Sequence, residues 1–175
     1  MRIHSKTDRV RNWLTTAAVL FSLQSAYVIA QETITLAIYQ FRPENIAAME
    51  VKSDVMLSIR NEIANQPEIR LLAKRDMEEI LSKRGIDQAY SIASATRGGQ
   101  ELSVRFVLIG SVIKQGAQID AEMKLINISS GGQVGSWNTS YQSKNEIRKT
   151  AAELSVEILV AMREGKGHTG PEGGP

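Results

Sequence analysis

The chain has 175 residues, 42% of them apolar, with 21 basic and 19 acidic side chains and no cysteine. That length carries one domain of ordinary size, and the missing cysteine excludes disulfides, thiolate metal sites, a cysteine nucleophile and the acyl anchor of a bacterial lipoprotein. The formal charge of +2 is concentrated at one end: without residues 1–30, which hold Arg2, Lys6, Arg9 and Arg11 against Asp8, the remainder carries about −1, no charge for general nucleic-acid binding.

In chain order, a basic segment leads into an apolar run from Trp13 to Leu23, the length of a signal-peptide core, and Val28 and Ala30 are small residues ahead of Gln31. Cleavage after Ala30 is expected, with export across the inner membrane to the periplasm. The alternative is an uncleaved anchor, since residues 13–30 sit at the lower limit for spanning a bilayer.

From Thr33 to Phe41 the chain alternates, with Ile34, Leu36 and Ile38 on one face, and it stops at Arg42-Pro43: a strand. Val55 or Met56, Ile59 and Ile63 recur at helical spacing over 51–65, before Pro67. EIRLLAK (68–74) reads as a second strand, so the domain opens as a parallel βαβ unit. Asp76 and Glu79 have the spacing of a capping box, which places a helix start at Asp76, with Met77, Ile80 and Leu81 on its apolar face and Gly85 at its end. A further helix is expected over 88–101, weakened or broken at Gly98-Gly99.

FVLIGSVI (106–113) is nearly unbroken apolar sequence, as in a strand covered on both faces at the centre of a sheet. Gln115-Gly116 offers a turn into QIDAEMKLI, where Ile119, Ala121, Met123 and Leu125 alternate with Asp120, Glu122 and Lys124. Ser130-Gly131-Gly132 turns again into VGSWNTSY (134–141). These three strands form an antiparallel meander. A last helix over 144–163 carries Ile147, Ala151, Leu154, Ile158 and Met162 on one stripe, and residues 164–175 have nothing apolar to anchor them, the composition of a disordered tail. The fold class is thus mixed α/β, with about five strands packed with helices in a single domain over 31–163.

Between Gln31 and Arg163 there is neither cysteine nor histidine, which removes histidine-based triads and the commonest zinc sites. The acidic cluster Asp76, Glu78 and Glu79 is explained by a helix start. No glycine spacing matches a phosphate loop, and the sequons at Asn127 and Asn138 are chance matches in an exported bacterial chain. Gly110, inside an apolar strand, marks a bulge or a close approach of another group. No catalytic residue, cofactor or metal is expected. The candidates for partner binding are Asp120, Glu122 and Lys124, exposed on the meander, together with Trp137 and Tyr141, which share a face of the last strand and are read either as core packing or as an aromatic docking strip.

The segment GQELSVRFVLIGSVIKQGAQIDAEMKLINISSGG (99–132), with LLAKRDMEEILSKRGI (71–86) and TITLAIYQF (33–41) ahead of it, resembles the group of bacterial envelope domains that includes the amino-terminal domain of TolB, FlgO and CsgG. The resemblance spans about residues 33–162. It departs from the group's pattern at Ser103, where a glycine is usual, and at Asn127 and Ser130, which stand for the Asp and Thr of a turn. It implies an anticodon-binding-like α/β sandwich used for contacts within envelope assemblies. LpoB and CsgG in that group are lipoproteins, whereas this chain has no cysteine to acylate, and it has no extra amphipathic strands for a CsgG-type barrel. The expected function is a non-enzymatic periplasmic interaction module with envelope-protein partners, in a flagellar, secretion or cell-wall assembly. The alternative is a ligand-sensing domain with a pocket against the sheet, Gly110 making the space. Self-association is left open.

Overall fold

A computed structural model describes residues 33–86 and 90–165. The expected signal segment lies outside them, as does the tail beyond Gly165. The described chain is mixed α/β: a six-stranded sheet packed with four helices.

Strand β1 (Ile34–Ile38) is followed by the two-residue strand β2 (Arg42–Pro43), a 3₁₀ turn at Ile46–Glu50 and helix α1 (Lys52–Ala64). Strand β3 (Ile69–Leu71) then pairs parallel with β1, placing Ile34 opposite Ile69, so the opening βαβ unit is present. Helices α2 (Lys74–Lys83) and α3 (Ile92–Glu101) lead to β4 (Phe106–Gln115), which also lies parallel to β1. Strands β5 (Gln118–Asn127) and β6 (Gly132–Tyr141) complete the antiparallel meander, and α4 (Lys144–Glu164) closes the domain. The spatial order is β3-β1-β4-β5-β6, which puts β4 at the centre, as its apolar sequence implies.

The sixth strand, absent from the sequence reading, arises because the chain resumes pairing with β4 after Phe41, with Arg42 opposite Ser111 and Pro43 opposite Val112. Pro43 has no amide to donate, and the pairing is carried onward by Glu44, whose N–H donates to the Val112 carbonyl.

Two cores flank the sheet. On one face α1 and α4 cover Leu36, Phe106, Leu108, Met123 and Leu125, and all of Val55, Met56, Ile59 and Ile63 point inward, as do Ile147, Ala151, Leu154, Ile158 and Met162. On the other face α2 and α3 bring Met77, Leu81 and Ala95 against Ala37, Tyr39, Val107, Ile109 and Ile126. Each Val, Leu, Ile, Met or Phe side chain among them contributes about 1.5–3 kcal/mol by leaving water.

Two expectations at the helices are corrected. Helix α2 starts at Lys74, not at Asp76: its cap is Ala73, in extended backbone, and no side chain caps it. Lys74 and Arg75 favour helix and extend it backwards, which leaves Asp76 within the first turn beside the positive end of the dipole, and Glu79 pairs with Lys83 at 2.6 Å instead of reaching back. Helix α3 is not broken at Gly98-Gly99. Both glycines are buried, and a Cβ on either would run into Tyr39 or Ile128, so they let the helix press onto the sheet. The helix is started by Ser91, whose Oγ accepts from the Ser94 amide while Ser94 Oγ accepts from the Ser91 amide.

Candidate functional site

Helices α2 and α3 cover only one end of their face of the sheet, and among the described residues the rest is open. The strand registers arrange it as a grid: Ile109, Lys124 and Ser136 in one row, Ser111, Glu122 and Asn138 in the next, Ile113, Asp120 and Ser140 in the third. The period-two alternation of β5 therefore sends Asp120, Glu122 and Lys124 to this face together, while Ile119, Ala121, Met123 and Leu125 enter the opposite core.

The polar groups of the grid are held by one another. Asp120 accepts from Gln118 Nε2 at 2.9 Å and from Ser140 Oγ across the strand pair, and these two hydrogen bonds pull its carboxyl below the ordinary aspartate range, with slight burial acting the other way. Lys124 Nζ lies 2.7 Å from Glu122 Oε1. Two adjoining cavities, of about 200 and 340 Å³, share Glu44, Ser111 and Glu122 in their walls. The smaller is bordered by Arg42, whose guanidinium is 3.3 Å from Glu44 and lies over the Tyr90 ring at 5.9 Å. Arg42, Glu44 and Tyr90 were not singled out in the sequence. They come from the β2 segment and from the start of α3, and only the tertiary fold carries them to the meander.

The two aromatic candidates part company. Tyr141 is 1% exposed, inside the core beneath α4, with its hydroxyl 2.6 Å from Thr139 Oγ1 and its ionisation pushed up by burial. Core packing accounts for it fully. Trp137 is half-buried at the margin of the same core, and its indole occupies the space a side chain at Gly135 would fill. It lines a third cavity, of about 380 Å³, with Val156 and Val160 of α4. Those two valines were legible in the sequence as apolar residues at i and i+4 off the core stripe of α4.

Gly110 stands where Phe41 presses on β4: a Cβ there would sit 2.8 Å from the Glu122 carbonyl oxygen and 3.0 Å from the Phe41 ring. The β4–β5 register is continuous through it, so it marks a close approach and not a bulge, and the space it leaves is filled. Among the described residues there is no group of three or more His, Cys, Asp or Glu placed to hold a metal ion, and no helix is long and apolar enough to cross a membrane.

No known family profile matches the chain, and no curated protein matches it in sequence. Solved structures do. The LpoB carboxy-terminal domain from Salmonella enterica superposes with a TM-score of 0.53 at 18% identity, over 71% of this chain and 93% of that one. The fold is shared with bacterial envelope domains. Lipoprotein GNA1162 from Neisseria meningitidis gives 0.52 at 12% identity, over 73% of this chain and 99% of that one. TolB from Acinetobacter baumannii gives 0.55 at 11% identity, over 75% of this chain but 29% of TolB. At these identities the likeness is one of fold, and it agrees with the TolB part of the resemblance carried by residues 33–162.

Proposed function

We propose that this chain is a non-enzymatic interaction module of the bacterial cell envelope, exported to the periplasm, and that it docks a protein partner on the open face of its meander. The observation that carries the reading is the incomplete cover of that face: two helices stop short of it, and the exposed grid presents charged and hydroxyl side chains in fixed register. The fold it shares with LpoB, GNA1162 and the matching part of TolB supports an envelope role, as does the basic and apolar segment at residues 1–30. A domain without cysteine or histidine between residues 31 and 163 has no cysteine nucleophile and no histidine base for a catalytic triad. The assembly served is of the flagellar, secretion or cell-wall kind. Phe41 fills the space on the core side of Gly110, so the ligand-sensing alternative would use the cavity of about 200 Å³ that Gly110 borders with Arg42 and Tyr90.

The test is the triple variant Asp120→Ala, Glu122→Ala, Lys124→Ala. These side chains stand outside the core, so each change should cost no more than about 0.5 kcal/mol, and the melting temperature should hold. Partner recovery in a pull-down from native periplasm should fall. Full recovery of every partner would remove the meander face from consideration.

A further inference from the structure

Among the described residues, strand β6 is an edge of the sheet, bonded to β5 alone, and it is ten residues long where the opposite edge, β3, has three. Sheets ordinarily blunt such an edge with charge, proline or shortness, because its free N–H and C=O groups are a template for another strand. Strand β6 has no proline and no Asp, Glu, Lys or Arg. Its one irregularity is the register shift opposite Leu125 and Ile126, which leaves Val134 as the extra residue and Gly135–Tyr141 as seven regular positions.

Beside this edge lies the apolar groove between β6 and α4. Val156 is 55% exposed and Val160 42% exposed, although both belong to a helix whose other large apolar residues are buried. Trp137 closes the groove floor, and Gly135 lets the indole lie along the strand. The rim is acidic. Glu157 and Glu164 line the groove, Glu153 stands one turn before Glu157, and Lys149 is one turn further back. Among the described residues, none of the three glutamates has an ion pair within the chain, and the neighbouring Arg163 is already engaged by Glu68.

We propose that β6 and this groove form a strand-acceptor site for an extended segment of a partner protein, apolar on its helix-facing side and bearing lysine or arginine that meets Glu157 and Glu164. Main-chain hydrogen bonds along Gly135–Tyr141 add a strand of roughly 23 Å. Its apolar side chains cover Trp137, Val156 and Val160. The charge selects the occupant: a second copy would bring its own glutamate-rich flank against this one, and like charges facing each other oppose docking, whereas a basic segment is complementary. This surface lies on the opposite side of the sheet from the Asp120, Glu122 and Lys124 grid.

The experiment uses the full chain with Trp13→Phe, which leaves Trp137 as the sole tryptophan, and reads its fluorescence during titration with three decapeptides. One alternates valine and threonine with a lysine at each end, the second carries glutamate at the ends, and the third has the lysines and a central proline. The expected result is a saturable blue shift with the lysine peptide, about tenfold weaker binding of the glutamate and proline peptides, and loss of the shift in Val156→Ser, Val160→Ser. Glu157→Lys, Glu164→Lys should invert the preference between lysine and glutamate peptides, and the Asp120, Glu122, Lys124 triple alanine variant should bind as the parent does. Equal binding of lysine and glutamate peptides, no shift with any peptide, or a concentration-dependent dimer in sedimentation velocity that Val156→Ser, Val160→Ser abolishes would each overturn the proposal.

Discussion

Ser103 has φ of +50°, in the left-handed region that costs a residue with a Cβ about 1–2 kcal/mol. It sits just past α3, where its N–H donates to the Gln100 carbonyl and the Val104 N–H donates to that of Gly99, the paired bonds of a Schellman ending. Gly85 does the same at the end of α2, with φ of +64°. The departure from glycine at Ser103 is thus a strained version of the same turn, and Ser103→Gly should raise stability by about 1 kcal/mol in chemical denaturation. The other departures are conservative in function: Asn127 Oδ1 accepts from the amides of Ser129 and Ser130, and Ser130 Oγ accepts from that of Gly132, as Asp and Thr would. Tyr39 is fully buried and its hydroxyl has no hydrogen-bond partner among the described residues, while burial pushes its ionisation up to about 12. Tyr39→Phe should therefore stabilise by about 1 kcal/mol at neutral pH. The pH dependence has a definite sign. The folded protein keeps the phenol proton that the unfolded chain releases near pH 10, so stability falls as pH rises from about 10 to 12, and the phenylalanine variant should lose less over that window in pH-dependent melting.

At the scale of elements, β4 shows how a central strand is assembled from opposite demands. Phe106, Leu108 and Val112 face one core and Val107 and Ile109 the other, while Gly110 makes room for Phe41. Gly110→Val would force the Glu122 carbonyl or the Phe41 ring aside and should destabilise by about 1–3 kcal/mol. An unchanged melting midpoint would mean that Phe41 moves freely, against its burial. Helix α4 is bounded at both ends by local chemistry. Ser143 Oγ accepts from the Glu146 amide, Glu146 Oε2 accepts from the Gln142 amide at 2.7 Å, and Gly165 takes the left-handed torsion at the far end.

For the molecule as a whole, the two faces of the sheet are covered unequally. Among the described residues, one face is packed under α1 and α4 except for the groove at its β6 margin, and the other is closed only where α2 and α3 reach. The triple alanine variant of the open face should therefore leave denaturant and thermal midpoints nearly unchanged at neutral pH. It should also be less sensitive to acid, because the hydrogen bonds that lower the ionisation of Asp120 favour the folded state above the unfolded aspartate value and are lost as pH falls through the depressed one. Melting from neutral pH downwards measures both.

The order and type of the elements were legible in the sequence because hydrophobic period is local: Ile119 to Leu125 alternate, Ile147 to Met162 recur at helical spacing, and Gly116 and Gly131 supply the turns. The meander, its central β4 and the side of β5 that bears Asp120, Glu122 and Lys124 follow from that periodicity. Tertiary structure decided what depends on meetings between distant residues. Arg42–Pro43 became a strand because β4 offered it a partner, Gly98 and Gly99 became packing surfaces because Tyr39 and Ile128 lie against them, and Tyr141 went into the core while Trp137 stayed at its margin because α4 runs over the first and leaves the second at the groove. The open face and the free edge are of the same kind. A strand's alternation tells which side chains share a face, but only the length and placement of the covering helices decide which part of that face remains in water.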